Sequence, residues 1–369
     1  MTLSEPRSRR ESLRLFVDVK RQFASSIRGV DPVSALCYRP APMVLIGRFL
    51  AGSLAASAFL AAALLAGWSP LREGSMQLQA GRTQPGRTQP VGRILYVRDG
   101  NIWLWQEGAT RQLTTGETWR QPAFSPDGGT IAYVYRGQNF SDIFVMKDDG
   151  SDNRRLTQGQ ARALDDNDWV FRPVWTPDGV QITYLADTGS PFLQPWTMNT
   201  EGGARRQLQL GGVFDMVDSI AWSPDGKRLA ISGFKTSQGG QLLPGQVYIW
   251  ESGKAATALT ENQNGAFDPA WSPDGEWLAY AARNGSRSNV YARRVSEGDE
   301  VPLSKLDLSR APVWSPDGKS IAFLSGQKGS FDVVVVDVSI TDGEMNVSNE
   351  RTLISDASAD ATSGLSWGP

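Results

Sequence analysis

The chain has 369 residues, with 37 Lys or Arg against 39 Asp or Glu, 13 tryptophans, a single cysteine (Cys37) and no histidine. Without histidine there can be no Ser-His-Asp or Cys-His catalysis and no His-ligated zinc, iron or copper. With no cysteine after position 37, thiolate sites and structural disulfides are excluded from everything that follows it.

Residues 1–48 carry nine basic side chains against Glu5, Glu11, Asp18 and Asp31, a net of +5. Within them Leu13, Phe16, Val17, Phe23 and Ile27 fall at roughly helical spacing, interrupted by Lys20. A short basic amphipathic helix on an anionic membrane face is one reading, and a solvated tail is the other. Phe49 to Trp68 is twenty residues without a charge, just enough to span a bilayer core of about 30 Å as a helix. The basic flank places residues 1–48 in the cytoplasm and everything after Trp68 outside. This reads as a single-pass, uncleaved signal anchor in the cell membrane. A competing reading starts translation at Met43 and treats the apolar run as a signal peptide cleaved near Ala63, giving a secreted or periplasmic product. No cysteine follows the run, so a lipoprotein is excluded. Residues 69–92 are a polar linker in which Gly81-Arg-Thr-Gln-Pro85 repeats as Gly86-Arg-Thr-Gln-Pro90.

From residue 93 onward one word recurs: Phe124-Ser-Pro-Asp-Gly128, Trp175-Thr-Pro-Asp-Gly179, Trp222-Ser-Pro-Asp-Gly226, Trp271-Ser-Pro-Asp-Gly275 and Trp314-Ser-Pro-Asp-Gly318, with a clipped Trp367-Gly-Pro369. Its prolines are 51, 47, 49, 43 and 53 residues apart, which is a repeat architecture. Proline presets φ, aspartate bonds the backbone two residues on and glycine supplies positive φ, so each word is a turn between two strands. A β-prone run follows (Ile131–Val134, Ile182–Leu185), then a second (Ile143–Met146, Val247–Trp250, Val333–Val336), then a short closing strand ending in Leu-Thr or a relative, as at Arg154–Thr157. Four strands per repeat of this length make a propeller blade. The spans 93–97, 101–105 and 111–114 supply three strands of a blade lacking its first, and 365–369 supplies a first strand lacking its blade. The prediction is therefore all-β: a six-bladed β-propeller of four-stranded blades over 93–369, closed by the C-terminal strand in the first blade and preceded by one transmembrane helix.

These words resemble the WD-like Pro-Asp repeat of TolB-like β-propellers over about residues 91–369. The resemblance implies the fold and an envelope-associated binding role. TolB-like proteins carry a separate α/β domain ahead of the propeller, where this chain is expected to have a membrane span. Peptidases with similar propellers add an α/β-hydrolase domain, which is not expected here. Lyases on related propellers need histidines that the chain lacks.

Residues 91–369 hold 25 basic against 34 acidic side chains, a net of −9, which disfavours nucleic acid. Carboxylate chemistry remains. Asp165, Asp166 and Asp168, in a long connection between blades, read as a solvated acidic loop or as a calcium site; no cofactor is expected, calcium being the one that could fit. Asp127, Asp178, Asp225, Asp274 and Asp317 recur in every complete word and are read as turn residues; the tryptophans of those words are read as packing between blades. A ligand site is expected at the channel mouth opposite the Pro-Asp turns, where six loops converge on Trp119, Arg120, Asp168, Trp169, Arg172, Asp215, Asp268 and Arg310. Aromatics beside Arg and Asp suit a protein or peptide, or an envelope carbohydrate. The leading expectation is a monomeric, non-enzymatic, membrane-tethered binding scaffold. The alternative is a carboxylate- or calcium-dependent hydrolase or lyase acting on a sugar or lactone in the channel.

Overall fold

Strand after strand in the chain is apolar on both faces, and the reason is visible in how alternate residues diverge. In a strand successive side chains point to opposite sides. Ile131 and Tyr133 pack with Leu95, Val97 and Ile102 of one neighbouring sheet, while Ala132, between them, packs with Val170, Ile182 and Tyr184 of the other. Ile321 and Phe323 likewise pack with Trp277, Ala279 and Val290, whereas Ala322 and Leu324 pack with Ile94, Tyr96 and Trp105. Each sheet is thus a wedge clamped between two others, and fully burying each large side chain contributes roughly 1.5–3 kcal/mol.

A computed structural model describes residues 90–162, 167–190, 192–211, 214–296, 298, 300–327 and 330–369, and no helix lies among them. The predicted tail and transmembrane span, and the linker up to residue 89, fall outside the described residues. Strands β1 (Arg93–Arg98), β2 (Asn101–Gln106) and β3 (Ala109–Gln112) begin the chain of blades. The second blade is β4 (Trp119–Phe124), β5 (Thr130–Arg136), β6 (Ser141–Lys147) and β7 (Arg154–Arg155). The third is β8 (Val170–Trp175), β9 (Gln181–Ala186), β10 (Gln194–Asn199) and β11 (Arg206–Gln207). The fourth is β12 (Met216–Trp222), β13 (Arg228–Phe234), β14 (Gln246–Glu251) and β15 (Thr257–Ala258). The fifth is β16 (Ala266–Trp271), β17 (Trp277–Asn284), β18 (Arg287–Arg294) and β19 (Glu300–Pro302). The sixth is β20 (Ser309–Trp314), β21 (Ser320–Gln327), β22 (Ser330–Thr341) and β23 (Glu344–Ile354), and β24 (Ser366–Gly368) ends the chain.

These strands form six four-stranded antiparallel sheets. The predicted closure is present: β24 pairs with β1 through Arg93↔Gly368, Ile94↔Trp367 and Leu95↔Ser366, completing the first blade. The first strands β4, β8, β12, β16, β20 and β24 touch one another in turn and form the inner ring.

The Pro-Asp turns close through their own side chains. Asp127, Asp178, Asp225, Asp274 and Asp317 each accept the N–H two residues on and the hydroxyl of the preceding Ser or Thr. That hydroxyl bond chiefly, and then the backbone N–H, hold the carboxyls of Asp127, Asp178 and Asp225 below their ordinary range. The tryptophans bridge blades: Trp175 Nε1 donates to Ala123 O at 3.1 Å and Trp271 Nε1 to Ala221 O at 3.0 Å.

The closing strands differ from expectation. β7 and β15 stop before Leu156-Thr157 and Leu259-Thr260, because the threonine side chain takes over from the backbone. Thr157 Oγ1 accepts Ile143 N–H at 2.9 Å and donates to the buried Asp142 at 2.9 Å. Thr260 Oγ1 accepts Val247 N–H at 2.9 Å and pairs with Gln246. Thr157→Val keeps the shape and leaves the buried Ile143 N–H without its acceptor, while Asp142 keeps Gly159 N–H and Arg155, so it should cost about 1–3 kcal/mol in urea unfolding. No loss of stability would show that the hydroxyl is not holding the blade's outer edge.

Candidate functional site in the central channel

The inner strands surround a channel of about 510 Å³. One end is framed by Pro126, Pro177, Pro224, Pro273, Pro316 and Pro369 at the turns. Five residues upstream of those prolines, a second ring consists of Gln121, Arg172, Ser219, Asp268, Ala311 and Gly364. The inner strands β4, β8, β12, β16 and β20 break register close to this ring. At Gln121, Arg172, Asp268 and Ala311, φ is 51°, 53°, 54° and 52°, and Gly364 lies at 70°. Four non-glycine residues in the left-handed region, each followed by proline (Pro122, Pro173, Pro269 and Pro312), are costly and localised. A bulge of this kind re-aims the side chain it carries.

The re-aimed side chains meet. Arg310 Nε and Nη2 donate to Asp268 Oδ2 at 3.1 and 3.0 Å, and Arg172 Nη2 lies 3.4 Å from Asp268 Oδ1. Gln121 Oε1 accepts Arg172 N–H at 2.8 Å, and Ser219 Oγ accepts Asp268 N–H at 3.2 Å. The Arg310 guanidinium also lies over the Phe267 ring, 5.3 Å from its centroid, with Arg283 at 5.5 Å. Burial pushes the Asp268 carboxyl up, but Arg310 and then Arg172 outweigh it, and the carboxyl sits below its ordinary range. Asp268 is thus a fixed anion between two cations.

The other predicted site residues lie away from this cluster. Trp119 packs edge-on against Tyr133 and Phe144 and donates from Nε1 to Thr115 O at 2.6 Å, which makes it a packing residue. Arg120 pairs with Asp360 at 3.3 Å, tying the second blade to the segment that leads into β24. Asp215 accepts Thr236 N–H at 2.5 Å and anchors the 235–245 loop. Trp169 stacks on Phe171, with centroids 6.0 Å apart and planes 6° apart. Asp168 is half-buried, and its carboxyl is raised chiefly by desolvation, against Thr188 and Arg205 and with Asp142. Asp165 and Asp166 fall outside the described residues, and no group of three potential metal ligands occurs among the described residues. Gln121 and Ser219 were not foreseen. The signal was present as the proline recurring four residues before the Pro-Asp proline in four repeats.

Residues 213–356 match the TolB beta propeller domain family. TolB from Acinetobacter baumannii superposes with a TM-score of 0.58 at 19% identity, over 75% of this chain and 67% of that one. The putative TolB from Agrobacterium tumefaciens gives 0.54 at 17%, over 75% and 97%. In fold, the propeller is TolB-like.

A curated relative, an uncharacterized peptidase, YuxL, of Bacillus subtilis, is 28% identical over 186 residues, 49% of this chain and 25% of that protein. The chain therefore spans a quarter of that relative's length. The TolB-like propeller does contain a Gly-x-Ser-x-Gly pattern, Gly364 to Gly368. It is no nucleophile elbow: Ser366 lies in β24, where its Oγ accepts Phe124 N–H at 3.0 Å and helps close the ring.

Proposed function

We propose that this protein is a membrane-tethered, extracytoplasmic propeller that binds a protein or peptide at the channel mouth. The observation that carries the reading is the meeting of Gln121, Arg172 and Asp268, from three different blades, at strained backbone positions lining one channel, with Arg310 of a fourth blade paired to Asp268. Strain of this kind persists where the surroundings over-determine it, and it clusters at ligand sites. Phe171, on the strand that carries Arg172, stacks on Trp169 just ahead of that strand, and the pair supplies the rigid aromatic surface that peptide recognition uses.

A display-selected peptide should lose at least tenfold in affinity with Trp169→Ala or Arg172→Met and be unaffected by Asp178→Ala on the turn face. Equal loss in all three variants would overturn the reading. The membrane assignment rests on the charge-free residues 49–68 and the basic flank ahead of them. Cys37, the sole thiol, gives a direct test. In intact cells it should react with a membrane-permeant maleimide and resist an impermeant one, and labelling by both would place the tail outside.

A second reading, a carboxylate-dependent hydrolase or lyase, draws on Asp168, the one described carboxyl held above its ordinary range by burial. It requires Asp168→Asn to abolish turnover of a sugar lactone.

A further inference from the structure

We infer that the cleft between the second and third blades, on the face of the Pro-Asp turns, is a pocket for the arginine side chain of a partner peptide or protein. It is separate from the channel mouth. The propeller fills two of its own inter-blade wedges with a guanidinium. Arg93, Thr130 and Arg228 are equivalent positions, each just before the residue paired with the aromatic of its own blade's turn: Ile94 with Trp367, Ile131 with Phe124 and Leu229 with Trp222. Arg93 lies over the Phe124 ring of the next blade, 5.0 Å from its centroid. It donates from Nη2 to Gly128 O at 2.8 Å and from Nη1 to Asp148 Oδ2 at 2.6 Å. Arg228 lies 4.6 Å from the Trp271 centroid and donates from Nη2 to Gly275 O at 3.0 Å. Each guanidinium thus meets an aromatic face and the carbonyl of the turn glycine.

Between the second and third blades the equivalent residue is Thr130, and a cleft of about 420 Å³ opens beside it. The same fittings line that cleft: Trp175, the turn glycine Gly179, and Thr200, which stands where Asp148 stands in the blade before. Phe124 and Trp271 are buried beneath their arginines, whereas Trp175 is only half-buried. Asp127, Asp178 and Glu201 line the cleft against one base, Arg154, so its field favours a cation. Arg154 belongs to the rim. Its Nη1 donates to Glu201 Oε2 at 2.8 Å and its Nη2 to Thr200 O at 3.2 Å, as Arg111 beside the first wedge bonds Asp149 O and Asp148 O. A planar guanidinium can stack on the Trp175 ring and donate to a carbonyl in the same plane, a combination that suits arginine better than a lysine ammonium.

The test uses the purified full-length chain and three random hexapeptide pools, acetylated and amidated, each with one fixed residue (Arg, Lys or Gln) and no other ionisable side chain. Equilibrium dialysis should show the Arg pool binding about tenfold or more tighter than the Gln pool, with the Lys pool between them. Thr130→Arg supplies the guanidinium from within, as Arg93 and Arg228 do in their wedges. It should erase the preference while the melting temperature holds or rises, a pairing that damage to the blade does not produce. Glu201→Gln, at an exposed position, leaves Arg154 without its carboxylate and should weaken the Arg pool about threefold or more, giving a second readout if Thr130→Arg misfolds. Equal binding of the Arg and Gln pools, or a preference that survives both substitutions, would overturn the pocket. Equal binding of the Arg and Lys pools would reduce it to an acidic patch and overturn the guanidinium fit. A preference seen only after Arg72, Arg82 and Arg87 are changed to Gln would put the chain's own linker there and overturn the partner.

Discussion

Asp268→Ala should destabilise the propeller by about 3–5 kcal/mol, the largest effect of any single channel substitution. Removing the carboxylate leaves Arg172 and Arg310 facing each other across a site where their side chains are 18% and 14% exposed. Breaking a buried pair costs far more than the pair is worth, because a desolvated charge is left without its partner. Chemical denaturation at neutral pH would show the loss as a lower midpoint with an unchanged slope. Acid titration gives a second readout. The folded carboxyl sits below its ordinary range, while the unfolded one titrates near pH 3.9. As pH falls through about 3.9 toward the folded pKa, the unfolded chain binds the proton first, so stability drops over that window. Asp268→Asn should begin less stable at neutral pH and lose less between about pH 5 and pH 3. Parallel pH profiles for parent and variant would show that the two arginines do not hold Asp268 ionised.

Ending the chain at Leu365 should abolish cooperative melting. The missing strand supplies three cross-strand pairs to β1. It also accepts Phe124 N–H through Ser366 Oγ at 3.0 Å and Arg93 Nε through Pro369 O at 2.7 Å. Trp367 packs against the cluster of Ile94, Tyr96 and Ala311 and donates to Val91 O at 2.9 Å. Losing one such aromatic costs about 3–5 kcal/mol, and the hydrogen bonds add about 1 kcal/mol each. The sum rivals the whole stability of an ordinary domain, about 5–15 kcal/mol. The deletion also exposes the edge of β1, an invitation to intermolecular pairing. A truncated chain that melts cooperatively within about 2 °C of the parent would mean that the ring holds without its closing strand.

The fold was legible because its signals are local. Each Ser-Pro-Asp-Gly word closes its own turn through bonds two residues apart, and its period counts the blades directly. The closing strands were misplaced by two residues because a threonine hydroxyl stands in for a backbone acceptor, and propensity does not show that. The candidate site was less legible. Arg172, Asp268 and Arg310, expected in separate loops, pair with one another, while Trp119 and Arg120 begin β4 and Asp215 precedes β12, where they serve packing and anchoring.

By itself the sequence determined the repeat, the turns, the number of blades and the closure, because each depends on residues near one another or on a spacing that can be counted. Only the tertiary structure decided which side chains share the channel. Arg310 and Asp268 are 42 residues apart and come from different blades, and nothing in their spacing says that they meet. What turns Asp268 inward is a bulge with positive φ at its position of the inner strand. That conformation holds only because the closed ring packs both faces of every blade and leaves the strained strand no room to relax.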